Sequence, residues 1–338
     1  MSHPDERITI QGAMRAAFPA AEERVARFYQ MMEYHLGWRD ESLAPADTDP
    51  GKLLRPRLCL LACRAAGADP RRALPVAAGI QLIHDFSLIH DDIEDNSTTR
   101  RGRTTVWKLW GLAQGINTGD GMFSVAHLAV HGLVDAGVSP QLTLEALRRF
   151  SRTILTICEG QFLDIGNEGN LAVSEEGYLA MIRRKTAVLI GASVELGALV
   201  GGADEETVEA LADFGINLGL AFQIQDDVLG IWGEPSITGK PFAADLVQRK
   251  LSLPVIHALA TAPRRARLAE LYALPNGDGD TVEEMLGILE QAHSRAYTER
   301  TAGRFTDAAM AALARAQGEA RTLAEIRAIA EGLLGRRS

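Results

Sequence analysis

The chain has 338 residues, 46% hydrophobic and 23% charged, an ordinary globular make-up with apolar material for a large core. A net charge of −9 and a pI near 5.5 leave no basic stripe for nucleic acid, so local Lys and Arg must be matched to small anions. Three cysteines without CxxC spacing point to a reducing compartment and away from a disulfide framework.

In chain order, MSHPDERITIQG carries acids and no apolar run, so neither a signal nor a transit peptide is expected. Residues 12–38 show helical spacing at Met14, Phe18, Val25, Phe28 and Met32, predicting a helix on the outside of the fold. SLAPADTDPG (42–51) is a turn-rich break, residues 52–66 resume as helix, and Asp69-Pro70 punctuates before a long helix. There Leu82, Phe86, Ile89 and Ile93 form an apolar stripe, with His84, Leu88, Asp91 and Asp95 on a neighbouring one. GNEGN (166–170) and NGDGD (276–280) read as loops within one domain, since helical pattern resumes on both sides. The most apolar run, Val188 to Gly201, is broken by Glu195 and falls short of the ~20 apolar residues of a membrane span. Residues 282–335 read as alanine-rich covering helices. No segment sustains period-2 alternation, so the prediction is an all-α bundle around a central cavity, a single domain over 1–338, in the cytoplasm and without a transmembrane segment.

The chemistry concentrates in HDFSLIHDDIEDNSTTRRG (84–102). On a helix Asp91 and Asp95 stand at i and i+4 and leave one face. Two carboxylates so placed suit Mg²⁺, which keeps several waters and completes its shell with phosphate oxygens. A solvated acidic face is the alternative for one such cluster. A second lies in FQIQDDVLGIWGEPSITGKPFAADLVQRKLSLP (222–254), where Asp226 and Asp227 align with the first pair so that Ile224 matches Ile89 and Val228 matches Ile93.

Together these segments resemble the polyprenyl synthetase family of trans-isoprenyl diphosphate synthases, over about residues 51–254. The resemblance implies an all-α fold of the isoprenoid-synthase type, a homodimer, and facing helices that hold Mg²⁺, three ions bridged by substrate diphosphate. It assigns Asp91, Asp95, Asp226 and Asp227 to the metal, with Asp92, Gln161 and Asp164 behind them. GKLLRP (51–56) matches the family's GKxxRP, so Lys52 and Arg55, with His84 and Arg101, fall to isopentenyl diphosphate. An ammonium and a forked guanidinium three residues apart can both donate to one diphosphate. Arg100, Lys185, Lys240 and Lys250 fall to the allylic diphosphate. Lys185, Thr186 and Gln223 are the catalytic set, with Thr186 and Gln223 beside the developing allylic cation. NTGD (117–120) is a further landmark, where Asp120 reads equally as a helix cap.

The implied reaction is condensation of isopentenyl diphosphate with an allylic diphosphate. Phe86, an aromatic five residues before Asp91, implies a short product, C20 geranylgeranyl diphosphate with C15 farnesyl diphosphate second; the small Ser87 beside it lets the tail pass. A class I terpene cyclase and a non-catalytic subunit of a heteromeric synthase are the other readings. The first has no use for Lys52, Arg55 and His84; the second should have lost acids that this chain keeps. The chain departs from the family at Gly230, where many members carry a third aspartate, and at Ala244 and Arg249 in the GxDLxxGK pattern.

Overall fold

The computed structural model describes residues 3–48, 51, 53–235, 241–274 and 279–335. Its helices are α1 (His3–Ala16), α2 (Ala26–His35), α3 (Leu54–Ala65), α4 (Leu74–Glu94), α5 (Val106–Trp110), α6 (Leu112–His131), α7 (Pro140–Asn167) and α8 (Glu175–Ile182). They continue as α9 (Val188–Gly201), α10 (Glu205–Trp232), α11 (Ala244–Val247), α12 (Leu253–Thr261), α13 (Arg265–Ala273), α14 (Gly279–Gln291), α15 (Ser294–Arg315) and α16 (Ala320–Leu334). The fold is all-α, apart from a ribbon of two-residue strands, β1 (Thr99–Arg100) and β2 (Arg103–Thr104), too short to register as sequence alternation. Among the described residues no helix is long and apolar enough to cross a membrane.

The chain divides into two compact units. The first comprises residues 1–151, 193–208 and 317–322; the second comprises 152–192, 209–316 and 323–338. In the first, α4 is introduced by Asp69, whose carboxylate accepts the Arg71 N–H (2.9 Å) and starts the turn Pro70–Ala73. Its apolar stripe is inward as expected: Leu82 and Ile89 are buried, Phe86 and Ile93 half-buried. Burying such side chains contributes roughly 1.5–3 kcal/mol each. The helix stops in a Schellman turn, with Asn96 left-handed (φ 51°), Ser97 N–H on Asp92 O (2.8 Å) and Asn96 N–H on Ile93 O (3.2 Å). The acids therefore occupy its last turn. Arg101 and Gly102 follow at φ 52° and 74°, the positive pair that a two-residue hairpin turn of type I′ requires.

In the second unit, Ser174 caps α8 through the Gly177 N–H, and Gln225 of α10 donates to the Leu334 carbonyl (3.0 Å), docking the C-terminal helix.

Several expectations are corrected. Residues 12–38 are two helices, because Pro19 lacks an N–H and disfavours helical backbone at Phe18. Met14 and Met32 are buried while Val25 is 47% exposed, so this segment is not simply a covering layer. The helix expected to stop before 166 runs to Asn167, and Gly279 and Asp280 already belong to α14; residues 276–278 lie outside the described residues. Asp120 is inside α6 and caps nothing. The left-handed residues of the second motif are Ala243 (φ 53°) and Arg249 (φ 57°), whereas Ala244 is regular helix. Each non-glycine in that region costs ~1 kcal/mol, which is why the GxDLxxGK pattern favours glycine there.

Candidate active site

In the first unit, Asp91 and Asp95 close one helical turn, with Asp95 N–H on Asp91 O at 2.8 Å. Asp91 is half-buried and Asp95 exposed. Asp92 points inward, 2% exposed, and accepts Arg100 Nε at 2.7 Å. Burial pushes its carboxyl up, and Arg100 opposes that shift. Asp92 thus anchors the hairpin arginine to the helix that carries the acids. Arg103 clamps the same ribbon, donating to Tyr34 O (2.7 Å) and Arg39 O (2.6 Å) with its guanidinium 4.0 Å over the Tyr34 ring.

Arg55 opens α3 after the left-handed Leu53, and its buried Nε has no hydrogen-bond partner among the described residues. Burial pushes its pKa down to about 10; Asp85 resists the shift and Arg101 adds to it. The Arg101 guanidinium carbon stands 3.5 Å from where a Cβ on Gly51 would be. His84 is driven well below its ordinary pKa by burial, then by Arg55, so it is neutral near pH 7. Two neighbouring guanidiniums with an orphaned N–H and a neutral imidazole form a cradle suited to an anion. Beneath it lies a network that sequence reasoning missed. Asp85, 3% exposed, accepts Gln81 Nε2 (2.8 Å) and lies 3.6 Å from His35 Nε2. Burial acts to raise Asp85, yet His35, His84 and Gln81 together hold it below the usual carboxylate range. Gln81 and Asp85 at i and i+4 were legible on a helix; His35 was not. Lys52 lies outside the described residues.

Phe86 packs edge-on against His90 (4.9 Å) and Phe123 (5.5 Å), and Phe123 continues to His127 (4.6 Å). Ser87 Oγ is turned back to His84 O at 2.8 Å.

In the second unit, Lys185 and Thr186 lie in a π-helical turn, Arg183–Ala187, between α8 and α9, where Val188 N–H reaches Arg183 O. The wider i to i+5 turn re-aims side chains that a regular helix would space evenly. Lys185 Nζ donates to Asp164 Oδ2 at 2.6 Å, and Thr186 Oγ1 to Gln223 Oε1 at 3.1 Å. Gln161 is half-buried, one turn before Asp164. Gly160 of α7 permits this arrangement: a Cβ there would lie 2.3 Å from Lys185 N.

Asp226 is half-buried, while Asp227, the other acid of this pair, is buried. Asp227 is 1% exposed, and its Oδ2 accepts both the Tyr178 hydroxyl and Leu253 N–H (3.0 Å). Burial pushes its pKa up to about 6, with the Lys250 ammonium and the Leu253 and Tyr178 hydrogen bonds opposing. Its work is to pin α8 and α12 to α10. Lys250 is exposed at the surface; partial desolvation acts to depress its ammonium, but Asp227, Asp245, Asp226 and Asp164 overcome it and hold the ammonium above its ordinary pKa. Lys240 lies outside the described residues.

No three His, Cys, Asp or Glu groups among the described residues form a ready-made metal cluster. The donors fit Mg²⁺ nonetheless, since it asks only one or two carboxylates of a protein and takes the rest from water and phosphate.

Comparison with known proteins identifies the family. The family model described as Polyprenyl synthetase matches residues 41–289. Geranylgeranyl diphosphate synthase of Mycobacterium tuberculosis is 42% identical over 285 residues, 84% of this chain and 80% of that protein. (2E,6E)-Farnesyl diphosphate synthase of Mycobacterium bovis is 39% identical over 313 residues, 91% of this chain and 86% of that protein. The crystal structure of polyprenyl synthetase from Streptomyces coelicolor superposes with a TM-score of 0.89 at 36% identity, covering 97% of each chain. The chain therefore belongs to the polyprenyl synthetase family.

Proposed function

We propose that this chain is a Mg²⁺-dependent prenyltransferase that joins isopentenyl diphosphate to an allylic diphosphate, releasing an all-trans prenyl diphosphate of C20, with C15 as the second reading. The observation that carries it is the anion cradle of Arg55, Arg101 and His84, present in addition to two acid pairs and the lysines Lys185 and Lys250. An enzyme with one diphosphate substrate has no use for that extra cradle.

Asp91, Asp95 and Asp226 would hold the Mg²⁺, three ions by the family resemblance, which would supply Lewis-acid stabilisation of the leaving group. Lys52, Arg55 and Arg101 bind the isopentenyl diphosphate, and neutral His84 donates an N–H without adding charge. Lys185 exchanges Asp164 for the allylic diphosphate, joined by Arg100, Lys240 and Lys250. The allylic C–O bond breaks, and Thr186 and Gln223 turn dipoles toward the carbon that becomes cationic. The isopentenyl double bond attacks that carbon, and the proton lost from the product passes to the departed diphosphate. Apolar helices keep water from the cation.

Incubation of the purified chain with labelled isopentenyl diphosphate, Mg²⁺ and dimethylallyl, geranyl or farnesyl diphosphate should give a C20 alcohol after dephosphorylation. A cyclic hydrocarbon would mark a terpene cyclase, and no turnover by the chain alone a non-catalytic subunit. Arg55→Ala should raise KM for isopentenyl diphosphate about 10–100-fold, the equivalent of ~1.5–3 kcal/mol for hydrogen bonds to a charged group. The allylic KM should hardly move; equal effects on both substrates would refute the division. Phe86→Ala should lengthen the product, because it removes the aromatic bulk that packs edge-on against Phe123 at 5.5 Å. Unchanged length would assign the floor to other residues.

A homodimer in the cytoplasm completes the reading. The exposed Leu112, Ile116 and Phe123, on one face of α6, support the dimer as an apolar surface for a second copy. The family model takes in residues of both units, which supports a single polyprenyl synthetase domain.

A further inference from the structure

The second aspartate cluster lacks its third acid in sequence, since Gly230 stands one helical turn after Asp226. The space beside Gly230 is nonetheless filled by a carboxylate. A Cβ built on Gly230 would lie 2.1 Å from Asp245 Oδ2, 2.4 Å from its Cγ and 2.9 Å from its Oδ1. Residues four apart on a helix have their Cβ atoms about 5–6 Å apart, so the Asp245 carboxyl sits one turn from the root of Asp226, where an aspartate at 230 would begin its side chain.

Asp245 is held there by its backbone. It opens the short helix α11 behind the left-handed Ala243, and its carbonyl accepts the Lys250 N–H at 2.9 Å. The residue is 3% exposed, yet among the described residues no group donates a hydrogen bond to its carboxylate. A buried carboxylate without donors is costly unless a cation or ordered water completes it. The Lys250 ammonium feels Asp245 together with Asp226, Asp227 and Asp164, so these acids share one neighbourhood. With both Asp227 oxygens engaged in hydrogen bonding, Asp226 would otherwise be left without a second acid on its side.

We propose that Asp245 is the third acid of the second cluster, entering from α11 through the gap left by Gly230 and holding the divalent cation, directly or through a bound water, together with Asp226. This rests on the reading of Asp226 as a metal ligand. Gly230 then marks no lost ligand: it is the opening that a ligand from another segment needs.

The test is Mn²⁺ binding to the full chain with inorganic diphosphate, followed by electron paramagnetic resonance of free Mn²⁺, with no turnover involved. Asp226→Ala identifies the Mn²⁺ that belongs to this cluster. Asp245→Ala should weaken that ion about 10–100-fold, the usual cost of removing a group that supports a metal site. Gly230→Ala should weaken it too, since the new methyl group displaces the Asp245 carboxylate. The double variant Gly230→Asp with Asp245→Ala puts the acid back on α10 with room to stand, and should recover most of the affinity. Wild-type binding in Asp245→Ala alongside loss in Asp226→Ala would overturn the inference. Failure of the double variant to recover would assign Asp245 a structural task and overturn it equally. Undiminished binding in Asp226→Ala would instead remove the underlying reading of that residue.

Discussion

Asp91→Ala is expected to abolish nearly all turnover, with kcat falling by three or more orders of magnitude, on the order of 4 kcal/mol or more in the barrier. The carboxylate is half-buried in the last turn of α4 and is not among the buried residues of that helix. Alanine is a better helix former, and the hydrogen bond from Asp95 to Asp91 O is main-chain and survives. Thermal unfolding should therefore be almost unchanged while the rate collapses. Steady-state kinetics at saturating Mg²⁺ beside a melting curve separates the two, and full activity would remove Asp91 from the metal site. Asp92→Ala should look different. It strips the buried partner from Arg100 and loosens the hairpin, so it lowers stability as well as rate.

That contrast shows what the sequence could and could not say. Asp91, Asp92 and Asp95 lie within two turns of one helix, so spacing alone orders them, and the Arg101-Gly102 turn follows from local chemistry. The same logic does not reach the surroundings of Asp227. Its partners Tyr178 and Leu253 are 49 and 26 residues away, and no helical period connects them. Arg55 and His84 were named through family motifs, but Asp85, which tempers the charge between them, had no motif. Pro19 was an avoidable miss, since its missing N–H was visible in the sequence. Gly230 read as a loss because a sequence lists what a position lacks, while the fold decides what fills the space.

Gly160→Ala is the second large effect expected, and it acts without touching a charged group. The added Cβ would lie 2.3 Å from Lys185 N and 2.7 Å from both Arg184 C and Lys185 Cα. All three are backbone atoms, so no side chain can swing aside. Ordinary carbon contacts need ~3.5–4.0 Å, so α7 and the π turn must part by on the order of 1 Å. Retreat on the far side is blocked, because a Cβ at Gly219 of α10 would already lie 2.6 Å from Ala187 Cα, so that turn is pressed from two helices. The displacement falls on Lys185, whose partner Asp164 rides on the same α7 one turn on, and on Thr186 against Gln223. A misplacement of ~1 Å at reacting groups can cost about 10²-fold in rate, so kcat should fall by about that factor and the allylic KM should rise. KM for isopentenyl diphosphate should change little, because Arg55, Arg101 and His84 belong to the other unit. Overpacking also costs ~1–3 kcal/mol of stability, which a melting curve will report. Gly166→Ala is the control: it lies on the same helix with nothing within 4 Å of its added Cβ, and it should keep wild-type kinetics. Wild-type kcat in Gly160→Ala would mean that the π turn does not set the position of Lys185 and Thr186.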